Sequence, residues 1–408
     1  MVIFRIFAHN IILFNLKIEL GAYRMLNFRT KFDRLCLALM AAKLVSEVSC
    51  AAEDANARMR AAPERLAEQE ACIATLIDLC SLGVPAVEAI VGARVISCTI
   101  RALQRAHTAQ ISVESSGSVP PRLPASALGL LRRLSMCSRG AHAVCDEGGI
   151  PAALQWCDAQ LQGGAAAAAL SLLITVFDEL NSAAPMIIAA HAVPVVLACA
   201  RSHAAVVARA SADHTVADTQ LQAKEVLVEP STTSTSRVVI ERALLLLWSL
   251  SEAEEAGRMW VPARAASDLA LGTLAWPDAH AGWAAALGLL ATVARSRDGA
   301  EVLLDGDTCL DAVGAALRRS RVEQLEVYEP ALALLWTLAR SEVPSAEARV
   351  TEAAVADGMP PSLAPLLGEA SQEDALRRLR QLRGDELLHG LLGQTALCDA
   401  GALMGSLQ

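Results

Sequence analysis

Aromatic residues are scarce in this chain, with two Tyr, six Phe and six Trp in 408 residues. Lysine is scarcer still: Lys17, Lys31, Lys43 and Lys224 are the whole complement. Alternating β-branched and aromatic residues between turn clusters are almost missing, which argues against a sheet protein. A net charge of −9 with few lysines leaves no concentrated basic surface, so nucleic acid is not expected as a partner. Chemistry-bearing motifs are missing too. There is no Cys-x-x-Cys and no Cys/His pair at zinc spacing. Gly163-Gly164 runs straight into alanines with no Lys following, unlike a phosphate-binding loop. No Gly-x-Ser-x-Gly elbow or His-Glu-x-x-His occurs. The eight His are scattered, with His142, His191 and His203 near helix ends, and Glu254-Glu255 reads as a solvated helix end. No catalytic residue, metal ligand or cofactor is expected.

What is present is apolar and helix-forming. Hydrophobic residues make up 54% of the chain, mostly Ala and Leu. Eleven Cys sit singly, several at apolar helix positions such as Cys72, Cys98 and Cys199. They read as small buried hydrophobes in a reducing compartment, the cytoplasm or nucleus.

Residues 1–32 differ from the rest. They hold Phe4, Phe7, Phe14, Phe28 and Phe32, and they carry Arg5, Lys17, Arg24, Arg29 and Lys31 against the single acid Glu19. Arg5, His9, Asn10 and Lys17 interrupt the apolar run well before the ~20 residues a membrane span needs. Three readings stay open for this stretch: an unusual leader or wrong start site, an organelle-targeting helix, or a helix lying on a membrane surface. Membrane contact is expected, if anywhere, through these residues.

From about residue 66 one phrase recurs: two leucines, two variable residues, then Leu or Val. It stands at Leu130-Leu131-Arg132-Arg133-Leu134, Leu172-Leu173-Ile174-Thr175-Val176, Leu246-Leu247-Trp248-Ser249-Leu250, Leu289-Leu290-Ala291-Thr292-Val293 and Leu334-Leu335-Trp336-Thr337-Leu338. With the second leucine as anchor the steps are 42 (131 to 173), 74 (173 to 247), 43 (247 to 290) and 45 (290 to 335). Looser copies stand at Leu76, 55 residues before Leu131, and at Leu379, 44 after Leu335. Steps in the low forties match helical repeats of ~40–47 residues. The spacing is that of a helix with a broad buried face, which neighbouring units must cover. A second phrase follows the Leu131 anchor, Glu147-Gly148-Gly149-Ile150-Pro151-Ala152-Ala153-Leu154, with weaker echoes at Ala192-Val193-Pro194 and Asp357-Gly358-Met359-Pro360. Gly suits the left-handed residue after a helix, and Pro suits a first helical turn.

These two phrases, over residues 66–408, resemble the armadillo family. The resemblance implies an all-α, right-handed solenoid (superhelix) of about six to seven three-helix repeats over residues 33–408. Each unit is a short, a medium and a long helix, the long one carrying the leucine phrase. The long steps imply polar, disordered insertions near 108–124 and 205–236, between the second and third helices of their units, on one edge. The Ser/Thr run 231–236 makes the second a candidate for phosphate regulation.

In armadillo proteins the long helices line the concave face. Importin-like members carry there a Trp, and an Asn four residues later, which clamp an extended peptide. The Trp position is occupied here by Arg132, Ile174, Trp248, Ala291 and Trp336, and the Asn position by Met136, Asp178, Glu252, Arg295 and Arg340. No Asn remains, so the resemblance does not extend to binding basic nuclear signals. The expected partner groove comprises Arg132, Met136, Asp178, Trp248, Glu252, Arg295, Trp336 and Arg340, acidic in its middle and basic toward Arg340 and Arg380. Arg377-Arg378-Leu379-Arg380 reads as the outer face of a terminal repeat. The expected function is a non-enzymatic scaffold or adaptor that holds a peptide or partner protein. The alternative is a chaperone cofactor similar to the small armadillo proteins that release nucleotide from Hsp70.

Overall fold

The computed structural model describes residues 31–61, 66–111, 122–157, 163–180, 182–217, 230–253, 262–276, 279–306, 308–320, 325–356 and 364–381. Among these residues every regular element is helical, and the packing is consistent with a helical solenoid. The chain divides into two compact units. One comprises the residues up to Trp156 with Ser171–Ala183, and the other Cys157–Leu170 with everything from Ala184 onward.

In the first unit the helices are α1 (Lys31–Ala61), α2 (Leu66–Cys80), α3 (Val84–Gly92), α4 (Val95–Ile111), α5 (Leu123–Leu134), α6 (Ser138–Asp146), α7 (Gly149–Gln155) and the second half of α8 (Gly163–Glu179). The second unit takes the first half of α8, then α9 (Ala183–Ala189), α10 (Ala192–Ala217), α11 (Pro230–Glu252), α12 (Ala263–Leu274), α13 (His280–Ala294), α14 (Arg297–Leu303), α15 (Thr308–Arg319), α16 (Leu325–Ala339) and α17 (Ala346–Ala356). A 3-10 turn (Ala364–Gly368) and a last helix, α18 (372–381), follow. Short, middle and long helices alternate as α3–α5, α6–α8, α9–α11 and α14–α16, and α12–α13 repeat the middle and long members.

The leucine phrases explain this order. All three apolar positions of all five phrases are at most 2% exposed. Burying each such side chain is worth about 1.5–3 kcal/mol. Those of α5, α11, α13 and α16 lie on helices that pack against a neighbouring long helix: α2 on α5 in the first unit, and α11 on α13 and α13 on α16 in the second. The helix that follows a long helix must turn back sharply, and glycine permits that. A Cβ on Gly140 would stand 1.9 Å from the Leu134 carbonyl oxygen, and one on Gly299 would stand 2.0 Å from that of Val293. In both cases the glycine lies six residues (134 to 140, 293 to 299) past the last apolar residue of the phrase. The next corner, between short and middle helix, uses a left-handed residue: Arg94, Gly148, His191 and Gly306. These fall 18, 17, 18 and 16 residues after anchors Leu76, Leu131, Leu173 and Leu290, so the backbone keeps the rhythm of the leucines.

Arginines tie helix ends across a 45-residue step. Arg319 at the end of α15 donates to the carbonyls of Leu274, Ala275 and Trp276 at the end of α12, at 2.9, 3.2 and 3.3 Å. Arg349 donates to Leu304 and Gly306 at 2.5 and 2.7 Å. Arg319 to Leu274 and Arg349 to Leu304 are both separations of 45 residues, the same step as between anchors Leu290 and Leu335. The last four carbonyls of a helix lack internal partners, and the guanidinia donate to oxygens at such ends; the Trp276 carbonyl also accepts from Trp283 Nε1 at 3.2 Å.

The expected insertions are partly helical. α4 continues to Ile111 and α5 begins at Leu123, while α10 continues to Ala217 and α11 begins at Pro230. Residues 205–217 are alanine-rich and extend α10, and Pro230 is tolerated because it stands at the first position of its helix. His203 accordingly meets Ser236 across α10 and α11, its Nδ1 3.0 Å from the hydroxyl, and both residues are buried. Burial pushes the His203 imidazole below its ordinary pKa. Residues 112–121 and 218–229, and the expected leader except for residues 31 and 32 at the start of α1, lie outside the described residues. The stretch Ala192–Ala210 of α10 is long and apolar enough to cross a membrane, yet Val193, Val196, Leu197, Ala200 and Val207 are buried inside the protein. Burial also raises the thiols of Cys80 to about 11 and Cys309 to about 12, as fits inert core cysteines.

One further correction concerns the copy at Leu379. Elsewhere in the second unit α11 and α13 lie side by side in parallel, since Gly282 of α13 faces Glu241 of α11 and, further along both helices, Arg295 meets Glu252. α18 runs the other way along α16. Its leading residue Glu369 meets Trp336 and Arg340 at the end of α16, while Arg380 near its own end meets Glu329 near the start. Leu379 is buried, but in a helix antiparallel to α16 rather than in a parallel rung. Amphipathic spacing fixes which face is buried and leaves the direction of approach free.

The glycine corners give a direct expectation. Gly140→Ala and Gly299→Ala should each lower the unfolding free energy by about 1–3 kcal/mol, because the clash is with backbone that cannot swing aside. Urea denaturation reads this, and an unchanged midpoint for both would contradict the corner geometry.

Candidate binding face of the long helices

In four of the five phrases the two variable residues are exposed or half-buried; in the α13 phrase both are buried. In the first unit Arg132 and Arg133 are exposed, and Ile174 and Thr175 are half-buried. In the second, Trp248, Ser249, Trp336 and Thr337 are half-buried, whereas Ala291 and Thr292 are covered. The residues five past each anchor, Met136, Asp178, Glu252, Arg295 and Arg340, are all exposed. They differ in chemistry at each step.

In the first unit Met136 is 62% exposed just past the end of α5, a large thioether left in solvent. Arg132 stands one turn earlier on the same helix. Asp178 is exposed near the end of α8, and partial burial, with the adjacent Glu179 second, raises its carboxyl above the ordinary value.

The second unit brings several of the expected residues together. Trp248 of α11 lies against α13, where a Cβ on Gly288 would fall 2.4 Å from its Cε2. Gly288 is thus a notch that receives the indole. Glu252 and Arg295 pair across the same two helices at 3.8 Å, each side chain about half exposed. Such an exposed pair is worth about 0–1 kcal/mol. It places opposite charges side by side, where the sequence suggested separate acidic and basic zones. Trp336 and Arg340 also act together: the guanidinium lies 5.6 Å from the indole centroid, and Trp336 Nε1 and Arg340 donate to the Glu369 carbonyl at 3.3 and 3.1 Å. Trp248 and Trp336 are on helices two steps apart, with α13 between them. Arg380 is turned to Glu329, with contacts of 2.6 and 2.8 Å.

Gly288 and Glu369 were missed by sequence reasoning. Gly288 could have been found, since it stands two residues before the Leu290 anchor, the register that Gly129 holds before Leu131. Nothing lies within 4 Å of a Cβ on Gly129, whose neighbouring long helix α2 carries Ile77 where α11 carries Trp248. Glu369 acts through its backbone carbonyl, which no side-chain pattern announces. Among the described residues no group of three or more His, Cys, Asp or Glu is placed to hold a metal ion.

No family model matches the sequence, and no curated protein matches it. Solved structures do resemble it in shape. A crystal structure of an engineered protein, a target of the Northeast Structural Genomics Consortium, is similar with a TM-score of 0.45 and 13% identity, covering 70% of this chain and 96% of that chain. So distant a likeness says nothing about function.

The two glycines of one register predict opposite outcomes. Gly129→Ala should stabilise by about 0.5–1 kcal/mol, as expected for a helix-interior glycine with room for a methyl group. Gly288→Ala should destabilise by about 1–3 kcal/mol and alter the tryptophan bands of the near-ultraviolet dichroism, because the Trp248 indole must leave its notch. Equal effects in both variants would contradict the knob-and-notch contact.

Proposed function

We propose that the chain is an armadillo-type protein, a right-handed solenoid of about six to seven three-helix repeats, and that it acts as a non-enzymatic scaffold or adaptor. Its partner is a peptide or protein laid along the long helices. The observation that carries this reading is the register of exposed residues five past each anchor: Met136, Asp178, Glu252, Arg295 and Arg340. A structural role alone would tolerate any small polar residue there. Instead a thioether, two acids and two arginines succeed one another, with two tryptophans at the position four residues before. Charge of both signs beside aromatic anchors is the chemistry of a protein-recognition surface. The cytoplasm or nucleus is the proposed setting, in keeping with many unpaired thiols.

Charge reversal at exposed positions tests this without touching the core. Asp178→Lys and Arg295→Glu, introduced together, should remove at least one protein that the unaltered chain captures from a cell lysate, as read by quantitative mass spectrometry. An unchanged partner set would refute the long-helix face as the binding surface. Acceleration of nucleotide release from an Hsp70 ATPase, equal in both forms, would favour the chaperone-cofactor alternative instead.

A further inference from the structure

α18 is held unlike any other helix of the second unit. Of its residues Ala375 and Leu379 are buried, at 0% and 1% exposure, four positions apart on one stripe. The remaining ties are polar. Arg380 grips Glu329 with two hydrogen bonds at 2.6 and 2.8 Å, while its own side chain is 59% exposed. The same grip holds the Glu329 carboxyl below its ordinary range. At the other end the Glu369 carbonyl accepts from Trp336 and Arg340. Ser371 caps the helix, accepting from the Asp374 backbone at 3.1 Å and donating to its carboxylate at 2.7 Å. Arg377 pairs with Asp374 and Glu373, and Arg378 with Glu369, all within the segment itself. The segment therefore ends in a capped amphipathic helix; it buries Leu366, Leu367, Ala375 and Leu379, its 3-10 turn packs on α16 and α17, and its polar ties to α16 are the Glu369 carbonyl and the Arg380–Glu329 pair.

We propose that residues 364–381 are an intramolecular ligand, a self-docked helix that occupies the flank of α16 and yields it to a partner helix of the same pattern. The partner is an amphipathic helix with a small residue, a Leu four positions on, and an Arg immediately after that Leu, matching Ala375, Leu379 and Arg380. Its Leu fills the place of Leu379, its Arg meets Glu329, and a backbone carbonyl ahead of its first turn receives Trp336 and Arg340. Two residues that sequence reasoning assigned to the groove are thus satisfied by the chain's own backbone, and a competitor must replace that carbonyl. Exposed ion pairs contribute little, and residues 364–381 carry none of the five leucine phrases, so exchange leaves the long-helix core in place. The inference rests on the long-helix face being the binding surface, and it adds that one end of the face is closed in the resting protein.

A fluorescein-labelled synthetic peptide of residues 364–381, titrated with the full chain and followed by anisotropy, tests it. The unaltered chain should bind the peptide weakly, because its own helix occupies the seat. Leu379→Asp with Arg380→Glu should unseat that helix and tighten peptide binding at least tenfold. Adding Glu329→Arg should reverse the gain, and a peptide carrying Arg380→Glu should recover binding to that triple variant. Arg380→Glu alone, at an exposed position, should give a smaller shift in the same direction. Equal peptide affinity in the unaltered chain and in both unseated forms would overturn the proposal, as would indifference to Glu329→Arg. Either result leaves the scaffold reading standing, since that is judged by charge reversal at Asp178 and Arg295, remote in sequence from α18.

Discussion

The structure depends on burying paired leucines that no single helix can bury alone. Five of the long helices carry Leu-Leu-x-x-Leu/Val on one side with all three apolar side chains buried, and α5, α11, α13 and α16 among them pack against a neighbouring long helix. That requirement sets the step along the chain. The corners must return the backbone to the same place, hence the glycines at 140 and 299 and the left-handed residues at 94, 148, 191 and 306. The guanidinium staples Arg319 and Arg349 share the step because each reaches a helix C-terminal end 45 residues back. Core, corner and cap are three expressions of one period.

The same constraint determines what is free to vary. Once the leucines are committed inward, most of the residues between and after them are left exposed or half-buried. The chain has used that freedom unevenly. Arg132 and Met136 stay in solvent, Glu252 and Arg295 neutralise one another, and Trp248 settles into the notch at Gly288. At Trp336 and Arg340 the donors are already taken by a carbonyl from the following segment. α18 lies antiparallel on α16 with its arginines outward.

Much of the frame was legible in the sequence because hydrophobic period is a strong, local signal. The leucine anchors, the helical class and the corner at Gly148-Gly149 follow from residue types alone. Other features have no residue signature. Arg94 and His191 adopt the left-handed conformation that Gly148 advertises, yet nothing in their chemistry announces it. Segments 205–217 and 230–236 looked like loop because Pro and Ser/Thr cluster beside them, and local helix propensity with favourable placement of Pro230 prevailed. Among the candidate site residues, exposure at the fifth position past each anchor follows from periodicity. Pairing does not, because Glu252 finds Arg295 only when two helices 43 residues apart (247 to 290) come into register.

The central claim is that neighbouring long helices lie parallel and one repeat apart, and distances between equivalent exposed positions test it most directly. Spin labels carried on an unnatural amino acid at positions 252, 295 and 340 report on α11, α13 and α16. Parallel rungs predict separations of ~10 Å for 252 to 295 and for 295 to 340, and roughly twice that for 252 to 340, given the usual spacing of packed helices. A 252 to 340 distance no longer than either single step, or single steps far beyond one helix spacing, would contradict the account.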